Sequence, residues 1–541
     1  MRFTPLFNSK AASLFCFTIA IANRFINVLF VSFTGRDKMI LVMQSKSWME
    51  GKGFGLPQYF LNNPEIPVYD YTPFWPPGYP LMLAPFLRLF NYDVYWATTM
   101  LDLTCCIAFI FIARKIAVFL KFPCAAVNIV TLIAGCFEYE FISESLPTDI
   151  PSLVFFLSGF YLVLQLVQTE KKLPGKLFIA AVLLFLPCAF RYAYPPVSLA
   201  VPAIIILSGF YLRKKWLINK GVGMLAIISL LIAVFFIFLK LNTGASGYIM
   251  DFGRGIFPAN IIYWAPVGPG SFINISFFIS QMTFQLGIPG DRSIQVLQMI
   301  NYGMILCIVL LFLYLFFKKK FFTSPDPFRW FLVLGFFISA ATFGELGYLS
   351  LTYKAQPRSH FSWNYVTESR YYAFVFFFLQ VSFLGWAFLY PAWKKSIIQK
   401  IIVYGLSGLL FIEITHNIYF HTKVALNFNR YKSSRYQEAD YDYFVKLVQL
   451  LARNNPEAAI WVAADKDWYY PLMASYLGYK GIFDSIDLNK KFPVVKKKTI
   501  LVIALYNQGM ANYQPFFSNK SVQFIKRVAE GNFYFLVLNP D

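Results

Sequence analysis

Residues 216–240 read WLINKGVGMLAIISLLIAVFFIFLK, a run that is almost wholly apolar after its first five positions. A helix needs about 20 apolar residues to cross the hydrocarbon core of a bilayer, so this run predicts a transmembrane helix. Similar runs recur along the chain and predict about eleven membrane-spanning helices. The predicted spans are 11–33, 94–113, 123–142, 150–168, 176–191, 195–212, 216–240, 296–317, 328–346, 371–391 and 397–419.

The composition also indicates a membrane protein. The 541 residues are 58% hydrophobic and 14% charged, whereas a soluble domain has about 25% charged residues. The net charge of +21 does not indicate nucleic acid binding, because the basic residues form short clusters between apolar runs. We therefore exclude nucleic acid as a partner and expect membrane lipid. The 7 cysteines lie in or beside apolar runs without a Cys-x-x-Cys pair, which predicts buried thiols.

The basic clusters predict the orientation. They occupy alternate short connections, such as Lys171-Lys172 and Lys318–Lys320, and short basic connections lie in the cytoplasm. The protein is then predicted to lie in the cell (inner) membrane, with its N-terminus in the cytoplasm. The predicted outer segments are the loops 34–93, 241–295 and 347–370 and the chain after residue 423.

The outer segments have structure of their own. Segments 38–50 and 81–86 of the first loop resemble helices that lie on the membrane surface. In the tail, apolar runs predict buried strands and periodic segments predict helices. The strands are 459–464, 499–505 and 533–538, and the helices are 437–454 and 468–477. The predicted fold is therefore an all-α polytopic membrane bundle over 1–423, with a small extracytoplasmic α/β domain over 424–541.

Acidic residues near predicted outer span ends are candidate site residues, because charges at the membrane are costly and usually functional. Asp37 closely follows the first span, between Arg36 and Lys38. The turn between the third and fourth spans contains a cluster of acids that suits a cation or a polar ligand. The cluster comprises Glu138, Glu140, Glu144 and Asp149. Asp149 also fits a helix N-cap, alone or with Thr148.

Basic residues on the predicted outer side are candidates for binding an anion. Arg191 lies between the fifth and sixth spans, where it either serves a site or snorkels to the interface. Arg358 and His360 precede the tenth span, and Arg370 opens it, against the positive-inside trend. Guanidinium groups bind phosphate with bidentate geometry. The sequence contains no P-loop, dinucleotide-binding, zinc-protease or Ser-His-Asp pattern, and its three histidines lack metal-ligand spacing.

The order of these features resembles the GT-C glycosyltransferases that use lipid-linked sugars, especially bacterial relatives of protein O-mannosyltransferases and the aminoarabinose transferase. The most specific element is Trp75-Pro76-Pro77-Gly78-Tyr79-Pro80, which follows the loop that carries an Asp after the first span. Further similarities are an acid that opens the fourth span, an Arg at the fifth–sixth turn and an Arg-Tyr pair that opens a late span. Asp149, Arg191 and Arg370-Tyr371 occupy these places.

The resemblance implies a membrane glycosyltransferase that moves a hexose or pentose from a polyprenyl-phosphate donor to a glycan, lipid or protein acceptor outside the cytoplasm. Asp37 would be the base or would orient the acceptor. Arg370, with Arg191, Arg358 and His360, would bind the donor phosphate. Glu144 or Asp149 would bind the acceptor or a divalent cation, and no other cofactor is implied.

The alternatives are a transporter or flippase of lipid-linked glycans, a polysaccharide polymerase or ligase of another membrane fold, and a non-catalytic assembly protein. A carrier predicts charges at the membrane midplane in broken helices. The candidate acids of this chain instead cluster at outer span ends beside long outer loops, which favours an outward-facing enzyme site.

Overall fold

The structure, a computed structural model, divides into two units that are described separately. The first unit comprises residues 1–31, 73–79 and 98–426, and the second comprises 32–72, 80–97 and 427–541. The residues described are 9–30, 36–60, 63–71, 75–136, 148–243, 327–352, 373–389, 439–464, 469–483, 495–506, 522–528 and 531–538, with isolated helical positions within 306–310 and 397–415.

The described part of the first unit is helical. Its helices are α1 (Lys10–Phe30), α5 (Cys124–Cys136), α6 (Asp149–Leu166), α7 (Pro174–Phe190), α8 (Tyr194–Tyr211), α9 (Lys215–Thr243), α10 (Pro327–Thr352) and α11 (Ala373–Leu389). The helix α4 (Val94–Phe119) runs from the second unit's residues into the first, and α3 (Gly78–Leu89) runs from the first unit's residues into the second.

Small residues allow these helices to pack closely. A Cβ atom on Gly135 of α5 would collide with Ala20 of α1, and one on Gly159 of α6 would lie 2.9 Å from the Leu184 backbone nitrogen of α7. Phenylalanine fills the remaining space: the ring centroids of Phe156 and Phe374 are 4.9 Å apart in an edge-to-face arrangement. Such contacts replace the hydrophobic effect as the packing force between helices in a bilayer.

Among the described residues, four helices are long and apolar enough to cross a membrane, namely 149–166, 194–211, 215–242 and 327–348. Three shorter apolar helices cover 124–136, 174–190 and 373–389. Each of these helices overlaps a predicted span. The predicted spans 296–317 and 397–419 lie largely outside the described residues, so the total of eleven remains a prediction.

The described part of the second unit combines helices with one sheet. Besides the residues of α3 and α4, its elements are α2 (Arg36–Met49), β1 (Leu56–Phe60), β2 (Asn63–Asp70), α12 (Ala439–Asn454), β3 (Ala459–Ala464), α13 (Tyr469–Tyr476), β4 (Lys480–Ile482), β5 (Thr499–Tyr506), β6 (Val522–Val528) and β7 (Gly531–Leu538). The strand order is β2-β1-β4-β3-β5-β7-β6. Strands β1, β4, β3 and β5 are parallel to their neighbours in that order, whereas β2, β7 and β6 pair antiparallel.

The first outer loop contributes to this sheet, which differs from the predicted division at residue 423. Tyr59 of β1 pairs in parallel with Ile482 of β4, and the Phe483 amide donates to the Tyr59 carbonyl at 2.8 Å. The loop segment 32–72 is therefore grouped with the C-terminal residues, not with the helical unit. The β1–β2 hairpin was not predicted. Pro64 and Pro67 lie in β2, and an edge strand tolerates proline.

The expectation that segment 38–50 lies on the membrane surface is wrong. Helix α2 packs against α13 and β1, and five consecutive side chains are buried in it, from Met39 to Met43. A surface helix needs one polar and one apolar face. Because α2 buries successive positions, it is a core helix of the second unit. The hydroxyl of Ser45 donates to the Pro80 carbonyl at 2.9 Å, which attaches α3 to it.

Candidate functional site

Asp149 is the first residue of α6 and is only 3% exposed. Its carboxylate accepts a hydrogen bond from Arg191, and the two side chains form an ion pair. The N-cap residue Thr148 makes no side-chain capping bond. Since the Asp149 side chain is directed to Arg191, its role is the ion pair, and the helix N-terminus adds favourable electrostatics for its negative charge.

Arg191 lies in the turn that joins α7 to α8. Its backbone is extended, with φ −147° and ψ 132°, and its amide donates to the Pro187 carbonyl at 2.9 Å, which ends α7. Pro195 and Pro196 then occupy the first positions of α8, where their fixed φ suits a helix start. The side chain is 4% exposed, so the snorkelling alternative is wrong.

Trp75 supplies an aromatic wall beside this ion pair. The Arg191 guanidinium carbon lies 5.7 Å from the centroid of the Trp75 ring, within cation–π range. The following Gly78 packs against the end of α7, because a Cβ atom there would lie 2.5 Å from the Ala189 carbonyl oxygen. The Pro-Pro-Gly-Tyr-Pro element is thus held beside Arg191 by close backbone contact.

The same element is anchored at its other end by Tyr79. This side chain is fully buried, and its hydroxyl donates to a carboxylate oxygen of Asp102 in α4 at 3.0 Å. Burial of a tyrosine hydroxyl next to a carboxylate fixes both groups, because leaving either one unpaired would cost about 1–3 kcal/mol. Asp102 was not among the predicted site residues.

A further acid lies near the ion pair. The phenol of Tyr194, at the start of α8, interacts electrostatically with Asp149, Arg191 and Glu345. Glu345 belongs to α10, which packs against α8. Burial raises the pKa of Tyr192 well above its ordinary value, which indicates that the turn at Arg191 is poorly solvated.

Sequence reasoning missed Glu345 and Asp102, yet a signal for both existed. Each is an isolated acid within a predicted span, 328–346 and 94–113 respectively. Ionisable residues inside spans mark functional or structural polar sites by default. Arg24 of α1 is a third example, since it is fully buried and donates to the Ala134 carbonyl at 2.9 Å.

Asp37 belongs to the second unit. It lies in the first turn of α2 and is half-buried, and its neighbour Lys38 is 5% exposed. The N-terminal end of a helix favours an ionised carboxylate. The sequence prediction that Asp37 is held by a rigid helix agrees with this position, although the helix is α2 and not the preceding span.

Six predicted site residues lie outside the described residues, namely Glu138, Glu140, Glu144, Arg358, His360 and Arg370. The structure therefore brings together Asp149 and Arg191 and adds Trp75 to them. Within the described ranges there is no group of three His, Cys, Asp or Glu side chains that could hold a metal ion. Asp149, the one predicted cation ligand that is described, has its charge balanced by Arg191.

Comparisons with known proteins bear on the fold. The sequence matches no protein-family model, and it is not significantly similar to any curated protein. Among solved structures, it is similar to the crystal structure of ArnT from Cupriavidus metallidurans in the apo state, with a TM-score of 0.52 and 10% sequence identity. The similarity covers 98% of this chain and 100% of that chain.

ArnT is an aminoarabinose transferase with a GT-C fold. At this low identity the likeness concerns the fold, and it extends over both units of the chain. This likeness and the apolar helices together indicate that the chain is a multi-pass membrane protein. The chain therefore has a fold similar to that of ArnT.

Proposed function

We propose that this protein is a membrane glycosyltransferase that moves a sugar from a polyprenyl-phosphate-linked donor to an acceptor on the extracytoplasmic face. The observation that carries the proposal is the buried Asp149–Arg191 pair beside Trp75, in a chain with the fold of ArnT over nearly its whole length. A lipid-linked donor fits an outer site, because nucleotide sugars are cytoplasmic.

The reaction is a displacement at the anomeric carbon of the donor sugar. The acceptor hydroxyl or amine forms a bond to that carbon, and the bond from the carbon to the phosphate oxygen breaks. The acceptor proton passes to a carboxylate, and the electron pair of the broken bond leaves on the polyprenyl phosphate. The protein must therefore supply one base, or one group that orients the acceptor, and positive charge for the phosphate.

Asp37 is the proposed base. It sits on a helix whose next residues, from Lys38 to Ser45, are buried, so its position is well defined. A helix N-terminus lowers the basicity of a carboxylate, because it stabilises the ionised form. Orientation of the acceptor is then the larger part of the contribution of Asp37, with proton transfer occurring as the new bond forms.

Arg191 is the residue proposed to bind the donor phosphate, and Asp149 positions its guanidinium. A guanidinium has five N–H donors in a fixed plane, so it can hold a carboxylate on one edge and still present charge elsewhere. Trp75 limits the rotation of that plane. Arg370, Arg358 and His360 remain proposed partners for the same phosphate, and Glu144 remains the alternative second acid.

The test uses cells that lack this protein, complemented with wild type or Asp37→Asn, with mass spectrometry of envelope glycans and polyprenyl-linked sugars. We expect one glycoform to disappear without the protein, its lipid-linked donor to accumulate, and only wild type to reverse both changes. Full restoration by Asp37→Asn would remove Asp37 from any essential role. Unchanged glycans with altered transport of the lipid-linked sugar would favour a carrier.

A further inference from the structure

The first unit contains a groove of about 670 Å³ between the start of α1 and the end of α4. Tyr161 of α6 contributes to its lining. Helix α6 rises about 1.5 Å per residue, so Tyr161 lies about 18 Å along it from Asp149. The groove is therefore separate from the candidate site.

Three basic side chains line the groove. Lys10 begins α1, and Arg114 and Lys115 are near the end of α4. As far as its lining is described, the groove contains no acidic side chain. Three cations without a lining acid attract an anion, and basic side chains at the membrane surface favour anionic lipid.

Arg114 is fixed, whereas the two lysines are exposed. Its guanidinium donates to Thr131 Oγ1 at 3.2 Å and also contacts Ser13 Oγ, so it joins α1, α4 and α5. Lys10 and Lys115 are open to solvent or headgroups. The groove thus combines one rigid cation with two that can adapt to a ligand.

The remaining lining is apolar and faces outward. Leu14, Phe111 and Val118 are 68%, 47% and 57% exposed. Phe17 packs edge-to-face on Phe111 with a centroid separation of 4.9 Å, which makes a firm wall. In a membrane-spanning unit, apolar side chains that protrude next to cations mark the boundary between hydrocarbon and headgroups.

We propose that this groove binds an anionic glycerophospholipid, with its phosphate against Lys10, Arg114 and Lys115 and an acyl chain along Leu14, Phe111 and Val118. A soluble anion would not use the exposed apolar wall, and a neutral lipid would not use three cations. Basic pockets between transmembrane helices on the cytoplasmic side commonly bind such headgroups. The basic connections predict that this end of the unit is cytoplasmic.

The test is a lipid titration of the purified full-length protein, followed by native mass spectrometry, with phosphatidylglycerol and phosphatidylcholine as probes. We expect wild type to bind phosphatidylglycerol preferentially. The double variant Lys10→Gln/Lys115→Gln should bind it on the order of 30-fold more weakly. The matched control is Lys171→Gln/Lys172→Gln, which removes the same charge from another basic connection and should bind as wild type does.

Equal losses in the double variant and the control would show non-specific charge attraction and overturn the proposal. Equal binding of the two lipids by wild type would do the same. Competition by inorganic phosphate alone, or by a polyprenyl phosphate in preference to phosphatidylglycerol, would assign the groove to a different ligand. Lys115→Arg keeps the charge and should retain binding, which separates loss of charge from misfolding.

Discussion

One ion pair in each unit shows that the two units differ in how far their charged side chains are exposed to solvent. In the first unit, the side chains of Arg191 and Asp149 are 4% and 3% exposed. In the second unit, Lys480 and Glu65 form a pair at 2.8 Å whose side chains are 26% and 52% exposed. A buried charge that loses its partner is left without solvation, whereas an exposed one is rehydrated. Similar substitutions should therefore be severe in one unit and mild in the other.

The largest effect is expected at Asp37, the proposed base, which lies in the second unit. Asp37→Asn should lower the amount of glycosylated product per enzyme molecule by roughly 10²- to 10⁴-fold, because a positioned acid–base group contributes about that factor. Quantitative mass spectrometry of the product checks this. Glu50→Gln, an exposed acid just after the same helix, is the matched control and should retain activity.

Breaking the buried pair is expected to have the next largest effect. Arg191→Gln leaves the Asp149 carboxylate buried and should lower the free energy of unfolding by about 3–5 kcal/mol. Thermal and denaturant unfolding in detergent measure the change.

The double substitution Asp149→Leu/Arg191→Leu removes both charges and should recover most of the stability while abolishing sugar transfer. This variant separates a site role from a purely structural one. If Arg191→Gln proves as mild as a surface substitution, the pair is solvated and the contrast between the units is wrong.

A substitution at Gly78 tests how closely the Pro-Pro-Gly-Tyr-Pro element packs against the end of α7. Gly78→Ala places a methyl group 2.5 Å from the Ala189 carbonyl oxygen, so it should destabilise by about 1–3 kcal/mol through overpacking. The control is Gly175→Ala, where a Cβ atom meets nothing within 4 Å. That substitution should be neutral or slightly stabilising, because alanine favours a helix. Equal unfolding midpoints for the two variants would contradict the close contact.

The smallest effect is expected at Glu65, where the hydrogen bond from Lys480 lowers the pKa of the carboxyl. A lowered pKa in the folded state means that this pair stabilises above the ordinary pKa of 4.5 and that the contribution is lost as the pH falls below it. Glu65→Gln should lower stability at neutral pH by less than about 1 kcal/mol.

Unfolding midpoints measured from pH 7 down to pH 3 check this prediction. The difference between wild type and Glu65→Gln should shrink on acidification. A difference that grows instead would show that Glu65 is not the group whose ionisation matters.

The sequence predicts local structure better than long-range association. Runs such as 499–505 and 459–464 are continuous apolar stretches, and both are strands in the structure. The hairpin 56–70 escaped prediction because its pairing with β4 depends on residues more than 400 positions away, which no local pattern encodes.

The candidate site shows the same contrast between local features, which the sequence predicts, and long-range contacts, which it does not. Asp149 and Arg191 were predicted one by one, from their places at the ends of spans. Their ion pair could not be predicted, because it depends on how α6 packs against α7. Glu345 was missed although it lies one residue before the end of the predicted span 328–346, because it is a single acid outside any cluster of charges.

The pairing of β1 with β4 has a consequence for biosynthesis. Glu65 and Lys480 are separated by 415 positions, and ribosomes add roughly 5–20 residues per second, so roughly 20–80 s pass between the two. During that interval β1 and β2 form at most a two-stranded hairpin, which is marginally stable alone. The complete sheet can therefore form only after the strands from β4 to β7 have been synthesised. A chain truncated before β4 would expose the edge of β1 to proteases.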